Sequence, residues 1–292
     1  MLQPARRLLE LIRFSHTLFA LPPALLAAAM AWKAEPPAAP RWQDLAGILL
    51  CMVFARSAAM GFNRLADRRL DALNPRTAGR HLPTGSLGAG SVLLFVLACS
   101  VGFVAGTLLF LPRNAIPLAL SLPVLLFLFA YSYTKRFAWF SHLWLGAALM
   151  LAPWASWVAI RGEILAWPSV LLGSAVLFWV AGFDMIYACQ DVEFDTRMRL
   201  CSAPVRYGVA GALRLARCSH VGMIGLLLLL PLVYNQFGLV YYSGVAAIAV
   251  VLAWQHRLVR PDDLSRANQA FFHLNALVSV GLLTIGVLDL LR

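Results

Sequence analysis

Two groups of oxygen-bearing side chains in this sequence have the spacing of ligands for a divalent cation. In the first, Asn63, Asp67 and Asp71 follow one another at intervals of four residues. On an α-helix this series drifts by only about 80°, with about 6 Å between neighbours along the axis, so the three share one face. Asn and Asp oxygens are hard ligands suited to Mg²⁺, which normally shares its coordination with substrate phosphates.

The second group lies far downstream and consists of Asp184, Asp191 and Asp195. If the segment is one α-helix, steps of seven and four residues place these carboxylates within about 40° of each other. Arginines are dense near both groups. Carboxylates for Mg²⁺ together with Arg or Lys for phosphate oxygens describe a diphosphate-binding site.

The composition places these groups in an integral membrane protein. Hydrophobic residues make up 61% of the 292 residues, charged residues make up 13%, and the mean hydropathy is +0.76. The formal charge of +11 is not taken as a nucleic-acid signal, because the basic residues lie in short loops between apolar runs. The five cysteines form no CxxC pair, which is typical of free thiols in a reducing compartment.

Apolar windows separated by Pro, Gly or charged residues predict an all-α protein with nine membrane spans in a single domain, 1–292. The segment 204–218 is either a loop or the amphipathic start of the seventh span. A second apparent loop, 256–273, contains His256 and is expected to be solvated. The spans are predicted near 14–32, 45–62, 88–111, 115–133, 138–160, 167–188, 219–236, 238–255 and 270–290.

The distribution of basic residues predicts the orientation. With a cytoplasmic N-terminus, 19 of the 24 Lys and Arg residues fall on the cytoplasmic side. Both acidic groups and the short loop that contains Lys135 and Arg136 then face the cytoplasm, where Mg²⁺ and phosphates are available.

Acidic residues within or beside spans need an explanation, because a carboxylate in a spanning helix costs about 2.5–3.5 kcal/mol. Asp184 is the clearest case, since it lies four residues before the predicted end of the sixth span. Two alternatives to a diphosphate site remain open: loop acids that balance nearby arginines, or a proton or cation pathway in a transporter.

Several motifs in order along the chain resemble those of the UbiA-type intramembrane aromatic prenyltransferases. NRLADRRLD at 63–71 is similar to the first aspartate-rich motif of that family, and Asp191-x-x-x-Asp195 is similar to the second. FSHTLFALPPALL and ARSAAMGFNRLAD are closer to the 4-hydroxybenzoate polyprenyltransferase-like branch. Further matching features are RTAGRHLPTG at 76–85, Tyr131 followed by Lys135 and Arg136, and Asp184 followed by Tyr187.

The resemblance implies a bundle of nine transmembrane helices around a central cavity, with the active site at the cytoplasmic side of the inner membrane. The implied reaction transfers a polyprenyl group from a polyprenyl diphosphate to an aromatic acceptor, with naphthoate and tetrapyrrole acceptors as alternatives to 4-hydroxybenzoate. The implied Mg²⁺ ligands are Asn63, Asp67, Asp71, Asp191 and Asp195, the four aspartates being catalytic. The implied substrate-binding residues are Lys135, Arg136, Arg76, Arg80, Asp184, Tyr187 and Tyr131.

Arg56 is a further candidate for substrate binding. It precedes Asn63 by seven residues, which places it about 20° away around a helix and about 10 Å deeper in the bilayer. A guanidinium at that depth requires an anionic partner. The partner is either a protein acid such as Asp184 or the carboxylate of a benzoate-type acceptor.

Overall fold

The structure, a computed structural model, describes residues 19–264, 266–267 and 270–292, and in these ranges it is helical. Apart from one isolated β-bridge between Arg260 and Asp263, the described residues contain no β-structure. The α-helices are α1 (Leu21–Lys33), α2 (Trp42–Leu73), α3 (Ala89–Thr107), α4 (Ile116–Thr134), α5 (Ser141–Arg161), α6 (Trp167–Ala188), α7 (Val192–Arg197), α8 (Ala203–Val233), α9 (Leu239–Leu258) and α10 (Asn275–Leu290).

Each of the nine predicted spans corresponds to one of these helices, and the short α7 is additional. Among the described residues, eight helical segments have the length and apolar composition needed to cross a membrane. The remaining predicted span overlaps α1, and its first part, 14–18, lies outside the described residues together with Arg6, Arg7 and Arg13. The prediction of an all-α, multi-pass membrane protein is confirmed.

The structure decides between the two interpretations of 204–218. This segment is the beginning of the seventh span, α8, which therefore starts well before the predicted 219. Gly208 interrupts α8 near its start, with φ 69° and ψ 167°, a conformation that side-chain-bearing residues rarely adopt.

The described chain folds as two compact units, one of 42–133 and one of 19–41 with 134–292. A single domain over 1–292 stays a prediction. The first unit contains α2, α3 and α4. A Cβ atom at Gly61 would lie 2.8 Å from Val96, and one at Gly102 would lie 2.8 Å from the Phe54 ring. These glycines therefore allow α2 and α3 to approach closely, as small residues do in membrane proteins.

The second unit packs around α6, whose side chains are buried on most of its surface. The closest approach is to α5, because a Cβ atom at Gly146 would collide with the backbone carbonyl oxygen of Leu177. Trp179 is completely buried, and its indole Nε1 donates a hydrogen bond to Asn275 Oδ1 at 3.0 Å. The polar end of this large side chain is thus satisfied inside the apolar core.

A pair of histidines connects three helices of the second unit. His220 Nε2 lies 3.2 Å from the carbonyl oxygen of Trp179, and its Nδ1 lies 2.9 Å from His256 Nε2. Since a carbonyl oxygen can only accept, His220 Nε2 carries the proton. The expectation that His256 belongs to a solvated loop was wrong: the residue is on α9, which continues past the predicted span end at 255.

The contact between α5 and α6 generates a stability prediction. Gly146→Ala places a methyl group against backbone that cannot move aside, so we expect a loss of about 1–3 kcal/mol. Gly225→Ala is the matched control, because a Cβ there meets no atom within 4 Å. Thermal unfolding in one detergent measures both variants. Equal melting temperatures for the two variants would contradict the close α5–α6 packing.

Candidate active site

The first acidic group lies on one continuous helix. Because α2 extends to Leu73, past the predicted span end at 62, Asn63, Asp67 and Asp71 all have helical backbone. Asn63 Nδ2 donates a hydrogen bond to Asp67 Oδ2 at 2.9 Å, so these two side chains share a face as their spacing predicted.

A folded turn after α2 brings a cation to the third member of this group. Arg80 Nη1 lies 2.7 Å from Asp71 Oδ1 in an ion pair. The turn is held by Thr77, whose hydroxyl donates to the Asp71 carbonyl oxygen at 3.0 Å, and by Asn74, whose Oδ1 accepts the backbone N–H of Arg76. The second oxygen of Asp71, Oδ2, is buried and has no hydrogen-bond partner among the described residues.

The second acidic group does not lie on one continuous helix, which corrects the assumption made from its spacing. The α-helix α6 contains Asp184 but ends at Ala188, and a 3₁₀ turn at Cys189–Asp191 precedes α7. A 3₁₀ turn advances about 120° per residue rather than about 100°, so the extrapolated common face fails there. Asp191 and Asp195 are both buried.

Lys135 and Asp195 approach each other within the second unit. Lys135 Nζ lies 3.7 Å from Asp195 Oδ2, which is buried. The connection between α7 and α8 holds both residues by backbone bonds: Cys201 N–H donates to the Lys135 carbonyl oxygen at 2.6 Å, and Leu200 N–H donates to that of Asp195 at 2.8 Å. The predicted cation and the predicted metal ligand are therefore adjacent.

Asp184 has a partner that the sequence interpretation missed. His142, at the start of α5, places Nδ1 2.7 Å from Asp184 Oδ2. Its other ring nitrogen, Nε2, accepts the backbone N–H of Ala203 at 3.2 Å. A signal was present in the sequence, because an ionisable residue in an apolar run calls for a function.

The remaining predicted substrate-binding residues have different environments. Arg76 and Arg136 are exposed, whereas Tyr131 and Tyr187 are half-buried. All four have interactions within the protein. Arg56 lies on α2, and its Nε atom is buried without a hydrogen-bond partner among the described residues.

The donor set is suited to Mg²⁺. In the described ranges, no three His, Cys, Asp or Glu side chains form a group that would enclose a metal ion alone. Asp71 Oδ2 is instead a single buried carboxylate oxygen without a hydrogen bond among the described residues, and the buried Asp195 Oδ2 has Lys135 Nζ at 3.7 Å. Such oxygens fit an ion that keeps waters and takes its other ligands from substrate phosphates.

The fold and the residues define a class: an all-helical membrane protein with cation-paired aspartates at its helix ends. Residues 20–277 match the model of the UbiA prenyltransferase family. The chain belongs to this family and is a membrane-embedded prenyltransferase.

Relatives and solved structures agree with this assignment. Over 236 residues, 81% of this chain and 79% of the relative, the chain is 31% identical to a 4-hydroxybenzoate octaprenyltransferase of Nitrosospira multiformis. An apo UbiA homolog from Aeropyrum pernix has a TM-score of 0.79 at 28% identity, covering 94% of this chain and 97% of that one. A UbiA homolog from Archaeoglobus fulgidus bound to DMAPP and Mg²⁺ shares the fold, with a TM-score of 0.72, 19% identity and coverage of 97% and 99%.

The ion pair of Arg80 generates a prediction about the turn after α2. Arg80→Gln removes a hydrogen bond to a charged group, which costs about 1.5–3 kcal/mol of local stability. We therefore expect limited proteolysis in the 74–88 segment to accelerate by about tenfold or more. Arg69→Gln, at an exposed position of the same helix end, is the control and leaves the rate unchanged. Equal rates in the two variants would show that Arg80 does not hold the turn.

Proposed function

We propose that this protein transfers a polyprenyl group from a polyprenyl diphosphate to 4-hydroxybenzoate in the biosynthesis of a quinone, ubiquinone or menaquinone. The observation that carries the proposal is that two of the proposed metal-ligand carboxylates lie beside cationic side chains, Asp71 beside Arg80 and Asp195 beside Lys135. The name of the Nitrosospira relative supports the acceptor, because it is a 4-hydroxybenzoate octaprenyltransferase.

Mg²⁺ is the proposed cofactor. The Mg²⁺ in the Archaeoglobus structure and the buried carboxylate oxygens of Asp71 and Asp195 both support it. When bound, Mg²⁺ neutralises charge on the diphosphate leaving group. The residues proposed to hold it are Asn63, Asp67, Asp71, Asp191 and Asp195.

Cationic side chains have a second role in the proposal, which is to bind diphosphate oxygens. Lys135 and Arg80 each carry positive charge next to a proposed metal ligand. Arg136 follows Lys135 directly, Arg76 precedes Arg80 by four residues, and both side chains are exposed. Fixed cations aimed at the developing negative charge stabilise the departure of diphosphate. Tyr131 and Tyr187 are proposed to contact the substrate.

The reaction is an electrophilic aromatic substitution. The bond between the allylic carbon and the diphosphate oxygen breaks, and its electron pair leaves with the diphosphate. The ring carbon ortho to the hydroxyl group of the acceptor then forms a bond to the allylic cation, and the ring proton is lost to a base. Apolar surroundings protect the cation from water.

The proposed location is the inner membrane, with a cytoplasmic N-terminus. The excess of Lys and Arg, 19 of 24 on the side of both aspartate motifs, supports this orientation. A long polyprenyl chain is itself soluble in lipid, which is the physical reason for placing the enzyme in the bilayer.

The proposed reaction is tested with isotope-labelled polyprenyl diphosphate, 4-hydroxybenzoate and the protein in lipid nanodiscs. We expect a labelled prenylated acid with Mg²⁺ and none with EDTA. Asp191→Ala should lower turnover by about 10²–10³-fold, since one electrostatic donor is worth about 2.7–4 kcal/mol in comparable sites. Asp262→Ala, in an exposed loop, is the control. Full turnover in EDTA would refute the metal assignment, and near-normal turnover of Asp191→Ala would refute the role of the second motif.

Arg56 is proposed to bind the carboxylate of the acceptor. Its Nε is buried and has no hydrogen-bond partner among the described residues, and a guanidinium favours a carboxylate because it can donate two parallel hydrogen bonds to it. Asp184, the protein acid considered as an alternative partner, already pairs with His142.

The role of Arg56 is tested by comparing an acid with its amide. Arg56→Leu should raise the KM for 4-hydroxybenzoate by about 10- to 100-fold, because a hydrogen bond to a charged group contributes about 1.5–3 kcal/mol. The KM for the prenyl diphosphate should stay the same, and 4-hydroxybenzamide should be used equally well by both proteins. Arg113→Leu, at an exposed position, serves as control. If both KM values rose together, Arg56 would have a structural role instead.

A further inference from the structure

His142 is an ionisable side chain with two specific contacts that the proposed chemistry leaves unused. Its side chain is 2% exposed, so both ring nitrogens depend on partners from the protein. One partner is a carboxylate on α6 and the other is the first backbone N–H of α8, so the ring connects the beginnings of two helices to the end of a third.

The two contacts determine where the proton lies on the ring. The N–H of Ala203 can only donate, so Nε2 must be the unprotonated nitrogen that accepts it. The proton of the neutral ring is therefore on Nδ1, which donates to Asp184 Oδ2 at 2.7 Å. The backbone N–H group that donates to Nε2 therefore selects one tautomer and one orientation of the ring. Hydrogen bonds to the non-ligating nitrogen have the same effect on histidines that bind metals.

The consequence for Asp184 is a fixed but accessible carboxylate. One oxygen is held by the ring, while the side chain as a whole remains 16% exposed.

We propose that His142 is a positioning residue for prenyl transfer: its Nδ1–H holds Asp184 in the orientation in which the carboxylate contacts substrate. The inference rests on the function proposed above. It adds a residue on α5 that acts through Asp184, with the Ala203 backbone N–H setting the ring orientation.

Two substitutions separate the two contacts of the ring. His142→Asn places an amide nitrogen at the δ position, so it keeps a donor for Asp184 and loses the acceptor for Ala203. His142→Gln places an amide oxygen at the ε position, so it keeps the acceptor and loses the donor. We expect the kcat of His142→Asn to stay within about threefold of the wild-type value and the kcat of His142→Gln to fall by about 10- to 100-fold. A Gln variant as active as the Asn variant would overturn the proposal.

A double-mutant comparison tests whether His142 acts through Asp184. In an Asp184→Asn background, His142→Gln should cause no further loss of kcat, because the oriented carboxylate is already gone. If the two substitutions lowered kcat by independent factors that multiply in the double mutant, a role of His142 through Asp184 would be refuted. His273→Gln, at an exposed position, is the matched histidine control.

A spectroscopic measurement tests the geometry of the ring without relying on catalysis. ¹⁵N NMR of histidine-labelled protein should show one ring in the Nδ1–H tautomer whose signal disappears in His142→Asn. Assignment of His142 to the Nε2–H tautomer would overturn the inference. Absence of prenyl transfer by the wild type would refute the proposed function. If the wild type is active but the Gln variant is as active as the Asn variant, or the ring is in the Nε2–H tautomer, only the role of His142 would be refuted.

Discussion

Carboxylates in a membrane-spanning chain must find donors or cations within the protein, and this requirement governs how the described segments connect. Arg80 folds back to Asp71 through a structured turn, and His142 reaches Asp184 from another helix. Asp289 of α10 accepts the backbone N–H groups of Gly238 and Tyr241, so a third carboxylate stabilises the positive end of α9. In each case an acid on one segment fixes the position of a second segment.

At the proposed metal ligands, the protein does not supply hydrogen-bond partners for all the carboxylate oxygens. In the described part of the chain, Asp71 keeps one buried oxygen without a hydrogen bond, although buried polar atoms are almost always satisfied, and the buried oxygen of Asp195 has its cation as far away as 3.7 Å. Unsatisfied atoms of this kind reduce stability and are typical of functional sites, where a ligand rather than the protein completes the bonding.

The helices could be predicted from the sequence, because an apolar segment long enough to span a membrane must satisfy its backbone hydrogen bonds internally, and an α-helix does so. The first aspartate group was also predictable, since α2 continues through it and preserves the spacing. The second group was not, because nothing in Asp184, Asp191 and Asp195 indicates the 3₁₀ turn that ends α6. The pairing of His142 with Asp184 was equally inaccessible, because the two are 42 residues apart and only the packing of α5 on α6 brings them together.

The packing of α5 against α6 has a consequence for biogenesis. These helices are consecutive in the chain, Gly146 lets their backbones touch, and the same pair contains the hydrogen bond between His142 and Asp184. An antiparallel pair of this kind enters the bilayer as a hairpin, so the carboxylate already has its donor when α6 leaves the translocation machinery. Ala203 is synthesised later, and its N–H then donates a hydrogen bond to the His142 ring, which fixes the ring orientation. Asp184 therefore gains its hydrogen-bond donor within the hairpin of α5 and α6, before the second unit is complete.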